Sequence, residues 1–306
     1  MTKVLIATIK PFAEAAVNQI KSTFEKAGYD CSFFEKYESQ DELKMAVADA
    51  EALIIRSDKI TEEIMDAAPK LKIVIRAGAG FDNVDIAVAT ARNIVVMNTP
   101  GQNSNAVAEL VLGMMVFQAR NHFNGKPGTE LKGKKLGIQA YGHVGKNVAR
   151  IAKGFGMEVF AFDPFVAKTD IEADGVSVFD SLEEMYNTCD YISLHIPANK
   201  HTIISINYDL LSKMKPGAIL VNTARKEVIH EDDLLKMFRD RADFCYISDI
   251  SPDNREVIVK EFGDRCFFTP KKMGAQTAEA NINAGIAASN QIIAFFEKGD
   301  TTFKVN

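Results

Sequence analysis

The sequence predicts an α/β protein built from two doubly wound parallel-sheet domains. Three observations carry that expectation. Through the first third of the chain, apolar runs of strand length alternate with helical patterns, and strands that alternate with helices pair in parallel beneath helices on both faces. A second alternating series runs from about Lys135 to Pro270. Between the two lies "GKPGTELKGKK", the clearest linker in the chain. A length of 306 residues leaves room for two separate cores.

"KVLIATIK" reads as the first strand. In "PFAEAAVNQIKSTFEKAG", Pro11 is a helix-start residue, Phe12, Ala16, Ile20 and Phe24 recur at four-residue spacing, and Gly28 is a stop. Ser39 and Glu42 have the spacing of a capping box for a second helix. "EALIIRS" and "KLKIVIRAG" are further strands, with a helix opened by Thr61 between them, and "NIVVMN" completes the set. "TPGQNSNAVAELVLGMMVFQARN" follows, a long helix whose apolar body is expected to lie between domains or at a subunit interface. The last helix, from about Gln276 to Lys298, ends at Gly299 and is expected to return to the first domain, with "TTFKV" packing there.

Apolar residues at 47% and charged residues at 25% are ordinary for a soluble globular protein. A net charge of −5 offers no basic face for nucleic acid. No apolar run approaches the ~18 residues that span a membrane. The N-terminus "MTKVLIATIK" enters a strand pattern directly, without the longer apolar region of a signal peptide. Cys31, Cys189, Cys245 and Cys266 are scattered with no C-x-x-C pair, so reduced thiols are expected, with no metal and a cytosolic location.

"KKLGIQAYGHVGKNVARIAKGFGMEVFAFDP" is the strongest local signal: a strand, a glycine turn, an amphipathic helix and a second strand. The dinucleotide fingerprint asks for G-x-G-x-x-G; Ala140 takes the first place, Gly142 and Gly145 the others. Gly142, His143 and Val144 are expected to offer backbone N–H groups to a pyrophosphate at the helix N-terminus, and Gly145 to let helix and strand approach closely. Asp163, at the end of the next strand, is placed to accept from both ribose hydroxyls and to repel a 2′-phosphate. The expected cofactor is therefore NAD rather than NADP.

Ligands of open parallel sheets bind beyond the carboxyl ends of the strands. In the first domain those ends carry Lys10, Arg56 and Arg76. Three cations at equivalent positions point to a pocket for an anion of more than one charge. Ser57 follows Arg56, and Ala77 and Gly78 follow Arg76, with the glycine exposing backbone N–H groups suited to a carboxylate.

Together "IIRSDKIT", "RAGAGFDNVDI", "VMNTPGQNSNAVAEL", "LVNTARKEVI" and "TPKKMGAQTAEA" resemble, in order and spacing, the D-isomer-specific 2-hydroxyacid dehydrogenase family, and within it the branch acting on 3-phosphoglycerate. The resemblance covers essentially the whole chain. It implies a flavodoxin-like substrate domain from residues 1–99 and 283–306 and a Rossmann NAD-binding domain from residues 100–282. It implies that Arg225 grips the substrate carboxylate and polarises the reacting carbonyl, a task suited to a flat bidentate fork. Asn103 stands at the family's substrate-side asparagine. Asp249 matches the contact to the nicotinamide carboxamide, and Pro197, Thr223 and Ala224 line the same crevice. The phosphate of the substrate would account for Lys10 and Arg56. A homodimer through the long helix after Pro100 is implied, as is a short form without a C-terminal regulatory domain.

Two departures from the family pattern concern the proton. The family has a histidine after Thr-Pro, where this chain has Lys271, and a glutamate that orients it, where this chain has Asn254. A free lysine, with a pKa near ~10.4, is too basic to accept a proton at neutral pH. Arg225, Lys272 and a positively charged nicotinamide ring would all disfavour charge on Lys271, and closure would add desolvation. A glutamate would act the other way and hold the ammonium form, so its loss fits an amine base. Lys272 and His195 are the alternative bases, although a histidine where His195 sits more often shapes the nucleotide loop. The alternatives to the phosphoglycerate reaction are another D-2-hydroxy acid, such as D-lactate or hydroxypyruvate and glyoxylate, or an inactive NAD-sensing regulator.

Overall fold

Strand and helix alternate from end to end of the computed structural model, which describes residues 1–306. In chain order the elements are β1 (Lys3–Thr8), α1 (Glu14–Ala27), β2 (Asp30–Glu35), α2 (Gln40–Val47), β3 (Ala52–Ile55), α3 (Glu62–Asp66), β4 (Ile73–Arg76), α4 (Ile86–Ala91) and β5 (Val95–Asn98). Then come α5 (Ser104–Ala119), β6 (Lys135–Gln139), α6 (His143–Gly154), β7 (Glu158–Phe162), α7 (Lys168–Ala173), β8 (Ser177–Val178), α8 (Leu182–Thr188) and β9 (Tyr191–Leu194). The remainder are α9 (Tyr208–Leu211), β10 (Ile219–Asn222), α10 (Glu231–Asp240), β11 (Cys245–Ser248), α11 (Arg255–Phe262), β12 (Cys266–Phe268) and α12 (Ala278–Lys298). The chain divides into two units, one of Met1–Asn103 with Thr277–Asn306, the other of Ser104–Gln276. All of α12 thus falls in the first unit.

The first unit is a five-stranded parallel sheet in the order β2-β1-β3-β4-β5, the flavodoxin-like arrangement. Its inner strands read as unbroken apolar runs because both faces are covered. Val4, Ile6, Ile54, Ile75 and Met97 pack with Ile20 and Phe24 of α1 and Ala288 and Ile292 of α12. Their neighbours Leu5, Leu53, Ile55, Val74 and Val96 pack with Leu43, Ile64 and Ala89 from α2, α3 and α4. Alternate residues of one strand therefore serve opposite layers.

Helix α1 begins at Glu14 rather than at Pro11, with Ala13 extended at its N-cap. The reason is tertiary: the Arg56 guanidinium draws on the Lys10 and Pro11 carbonyls, at 2.9 and 3.0 Å, and holds that stretch out of the helix. Gly28 ends α1 at φ +75°, as its place in the sequence requires. Ser39 caps α2 by accepting from the Glu42 N–H, and Thr277 caps α12 by accepting from Ala280. After α12 the tail rejoins this sheet: Val305 N–H donates to the Val96 carbonyl at 2.9 Å.

The second unit is a seven-stranded parallel sheet in the order β12-β11-β10-β9-β6-β7-β8. Read from its own first strand, β6, this is the doubly wound order with the strand sequence reversing between β6 and β9. One layer packs Ala108, Val111, Leu112 and Met115 of α5 with Val148 and Ala152 of α6 over Leu136, Ile138, Val221 and Ile247. The apolar body of α5, expected between domains or subunits, is thus largely explained by the core of its own unit. The other layer covers the sheet with Met185, Leu211, Leu234, Phe238 and Ile258. No helix is long and apolar enough to cross a membrane.

Candidate active site

Every strand of each sheet runs the same way, so the turns after the strands collect along one edge of each unit. In the first unit that edge carries Lys10, Arg56, Ser57, Arg76, Ala77 and Gly78, which follow or close β1, β3 and β4. Lys10 and Ser57 are exposed and Arg56 and Arg76 half-buried. Asp58, 2% exposed, organises the group. Its carboxylate accepts from the backbone N–H of Arg56 (3.1 Å) and of Ile9 (2.7 Å) and from the Tyr37 hydroxyl (2.8 Å). Nothing in the sequence around Asp58 singled it out; only the approach of β1 to β3 gives it partners.

The Arg56 side chain is more constrained than a free surface cation. Besides the two carbonyls it donates to Asn281 Oδ1 and lies 5.1 Å from the centre of the Phe12 ring. Burial works against its charge and Asp58 supports it. Arg76 Nε donates to the Arg56 carbonyl at 2.9 Å. A Cβ on Gly78, whose φ is +149°, would stand 1.6 Å from Arg76 Nη1, so the absence of a side chain there leaves room for the guanidinium. Asn103, half-buried, closes the first segment of this unit.

In the second unit the turn after β6 is built as a nucleotide cradle. Gly142 is the N-cap of α6, and His143 and Val144 open its first turn, where backbone N–H groups have no partner within the helix. A Cβ on Gly142 would meet nothing within 4 Å, so the space in front of this turn is open. Gly145 is different: a Cβ there would lie 2.4 Å from the Ala140 carbonyl oxygen and 3.1 Å from Ile138 Cγ2. Ala140 itself has φ +79°, a region L-residues disfavour, which is why a glycine is usual there. Asp163 Oδ2 accepts from the Tyr141 N–H at 2.7 Å and Oδ1 from Phe165 at 2.8 Å. The carboxylate is thereby fixed at the mouth of the turn, with lone pairs left for hydroxyl donors.

Pro197, Thr223, Ala224, Arg225, Asp249 and Lys271 follow the ends of β9, β10, β11 and β12. Asn222, which the sequence reading passed over, shapes the turn that bears Arg225: its Oδ1 accepts from the Ala224 N–H and its Nδ2 donates to the Arg225 carbonyl. An asparagine accepting from the second residue after it is a recognised turn signal, so "NTAR" carried the information. Arg225 Nη1 donates to the Ala224 carbonyl at 2.8 Å. Pro197 is exposed, and its carbonyl accepts from the Thr202 hydroxyl.

His195 is held by its backbone N–H on the Gln139 carbonyl and by its ring Nε2 against Ser193 Oγ, both at 2.9 Å. Burial pushes its pKa down to about 3, so the ring is neutral at physiological pH. These contacts agree with a residue that shapes the turn. Asn254 Nδ2 donates to the Glu231 carbonyl at 3.1 Å, while its Oδ1 is buried without a partner.

Asp249 and Thr223 fit a carboxamide. Asp249 is 1% exposed and its Oδ1 has no partner, and the Thr223 hydroxyl is also buried and unpartnered. Buried polar atoms are rarely left so, and a carboxamide would satisfy both, its N–H donating to the Asp249 oxygen and its carbonyl accepting from the Thr223 hydroxyl. Burial raises the Asp249 pKa against the backbone hydrogen bonds that lower it. Lys271 and Lys272 are exposed. The Lys271 carbonyl accepts from Thr269 Oγ1 at 2.7 Å.

Comparisons with known proteins bear on both units. The family model "D-isomer specific 2-hydroxyacid dehydrogenase, NAD binding domain" matches residues 86–259. A D-3-phosphoglycerate dehydrogenase of Methanocaldococcus jannaschii is 34% identical over 271 residues, which are 83% of this chain and 51% of that protein. This chain spans about half the length of that relative. A hydroxypyruvate reductase of Thermotoga maritima is 36% identical over 274 residues, 83% of this chain and 87% of that one. Among solved structures, NAD+-bound 3-phosphoglycerate dehydrogenase of Entamoeba histolytica superposes with a TM-score of 0.90 at 46% identity, covering 100% of this chain and 98% of that one.

Proposed function

Because the chain belongs to the D-isomer specific 2-hydroxyacid dehydrogenase family, we propose that it oxidises 3-phospho-D-glycerate to 3-phosphohydroxypyruvate with NAD, the first step of L-serine biosynthesis, as a cytosolic homodimer formed through α5. The observation that carries the substrate is the set of cations Lys10, Arg56 and Arg76 at three strand ends of one sheet edge. With Arg225 on the carboxylate, an uncharged substrate tail would gain little from these cations, whereas a phosphate would use them. The Arg56 side chain is tied to its neighbours, but its charge remains at the strand end.

The residues divide the work as follows. The backbone at Gly142, His143 and Val144 holds the pyrophosphate, Asp163 the adenosine ribose, and Asp249 with Thr223 the carboxamide. NAD, when bound, accepts the hydride from C2 of the substrate. Arg225 binds the substrate carboxylate and draws electron density from the forming carbonyl, with Asn103 and the Ala77–Gly78 backbone on the substrate side. Lys271 takes the hydroxyl proton when the carbonyl forms and returns it in the reverse reaction. Imidazole requires a carboxylate to fix its tautomer, whereas an amine has none to fix, which accounts for Asn254 in place of an acid.

Turnover of phosphorylated and unphosphorylated 2-hydroxy acids at equal concentration tests the substrate. Preference for an unphosphorylated acid would instead favour the second reading, a hydroxypyruvate or D-lactate enzyme, for which the similarity to the Thermotoga maritima reductase speaks. Tight NADH binding with no 2-keto acid reduced would favour an inactive regulator. Lys271→Ala is expected to lower kcat by ~10² or more, the low end for a lost acid–base group. Near-full activity would move the proton to another group.

A further inference from the structure

The two oxygens of one buried carboxylate face different tasks. Asp249 Oδ2 accepts from the backbone N–H of Met273 at 3.1 Å and of Gly274 at 2.7 Å. Those amides belong to the turn Thr269–Gly274 that carries Lys271, and the turn is tied a second time where Thr269 Oγ1 donates to the carbonyls of Lys271 and Asp249. Asp249 Oδ1 has no partner and is buried. We propose that Asp249 is the positioning residue for Lys271, its Oδ2 fixing the turn that presents the amine while its Oδ1 receives the nicotinamide carboxamide, so that cofactor and proton acceptor are placed by the same side chain. The inference rests on the reading of Lys271 given above.

The geometry makes the arrangement demanding. Two backbone donors converge on one oxygen, and a neutral amide in place of the carboxylate has a single acceptor atom to divide between the turn and the cofactor. There is little slack, since a Cβ on Gly274 would lie 3.1 Å from Asp249 Oδ2 and 3.1 Å from Val107 Cγ2. A side chain at Gly274 would therefore oblige the turn or its neighbours to shift by a few tenths of an ångström.

Two variants separate the oxygens, and a double-mutant cycle with Lys271→Ala shows whether the effect passes through the amine. Asp249→Asn keeps the volume and is expected to raise the KM for NAD ~10-fold or more, the scale of a lost hydrogen bond to a charged group. Gly274→Ala displaces the turn while leaving Oδ1 in place. It is expected to lower kcat by a factor of several, up to ~10-fold, since the 3.1 Å contacts oblige the turn to shift by less than the ~1 Å that costs ~10², with little change in the KM for NAD or in NADH fluorescence on binding. In the Lys271→Ala background the same substitution should lower kcat no further. An equal loss in both backgrounds would overturn the positioning role, as would wild-type kinetics for Asp249→Asn. Loss of turnover in Lys271→Ala alongside such additivity refutes only this inference. Full turnover in Lys271→Ala instead refutes the reading of the lysine on which it depends.

Discussion

Gly142 and Gly145 stand three residues apart in one motif, yet the structure gives them opposite liabilities. On Gly145 a Cβ would stand 2.4 Å from the Ala140 carbonyl oxygen. That atom is backbone, fixed between β6 and α6, so Gly145→Ala must push the helix off the sheet. Overpacking of this kind costs about 1–3 kcal/mol, and at ~2–4 °C per kcal/mol for a domain of this size the melting midpoint should fall by several degrees. On Gly142 a Cβ would touch nothing, and φ −80° with ψ −160° suits any residue. Alanine there loses the favourable glycine N-cap but restricts the unfolded chain, two effects of about 1 kcal/mol or less and opposite sign. The melting midpoint of Gly142→Ala should therefore stay near that of the wild type, while the methyl would enter the space assigned to the pyrophosphate in the proposed function. Its NADH affinity should fall ~10-fold or more, about 1.4 kcal/mol. Thermal denaturation without cofactor and fluorescence titration with NADH measure the two separately. A Gly145→Ala protein as stable as the wild type, or a Gly142→Ala protein that binds NADH normally, would refute this account of the turn.

Ala140→Gly should stabilise the protein, because the left-handed conformation costs an alanine about 1–2 kcal/mol and the added freedom of the unfolded glycine returns about half of that; a lower melting midpoint would contradict it. His195 binds fewer protons folded than unfolded between its ordinary pKa of 6.5 and about 3. Stability should accordingly decline as pH falls through that window, by up to ~1.4 kcal/mol per pH unit. Asp249, whose carboxyl is shifted upward, contributes with the opposite sign, so the His195 share is the difference between wild type and His195→Gln. A denaturation series from pH 7 to 4 in which the two proteins run parallel would show that the imidazole is not kept neutral by burial.

Much of the architecture was legible because it rests on local periodicity. The apolar run "ALII" and its like are buried on both faces, and that burial is visible as missing polar alternation. The stops at Gly28 and Gly299 and the cap at Ser39 depend on neighbours a few residues away. Gly145 was legible for a related reason: strand, turn and helix are contiguous, so their crowding is encoded in one short stretch. Asp163 stood at a fixed distance along the same stretch. Arg56 was read as a cation at a strand end. Its ties to Lys10, Pro11 and Asn281 come from segments far away in the chain, and they also delay the start of α1.

What the sequence alone determined is the set of chemical groups and their place at the carboxyl ends of the strands, since hydrophobic periodicity and glycine spacing are properties of neighbouring residues. What only the tertiary structure decided is which groups are already satisfied. Asp58 is used up in joining β1 to β3, His195 is kept neutral, and Asp249 spends one oxygen on a turn beyond the next strand while leaving the other bare. Hydrogen-bond partnership and desolvation depend on which distant segments come within about 3 Å, and no pattern along a single chain records that.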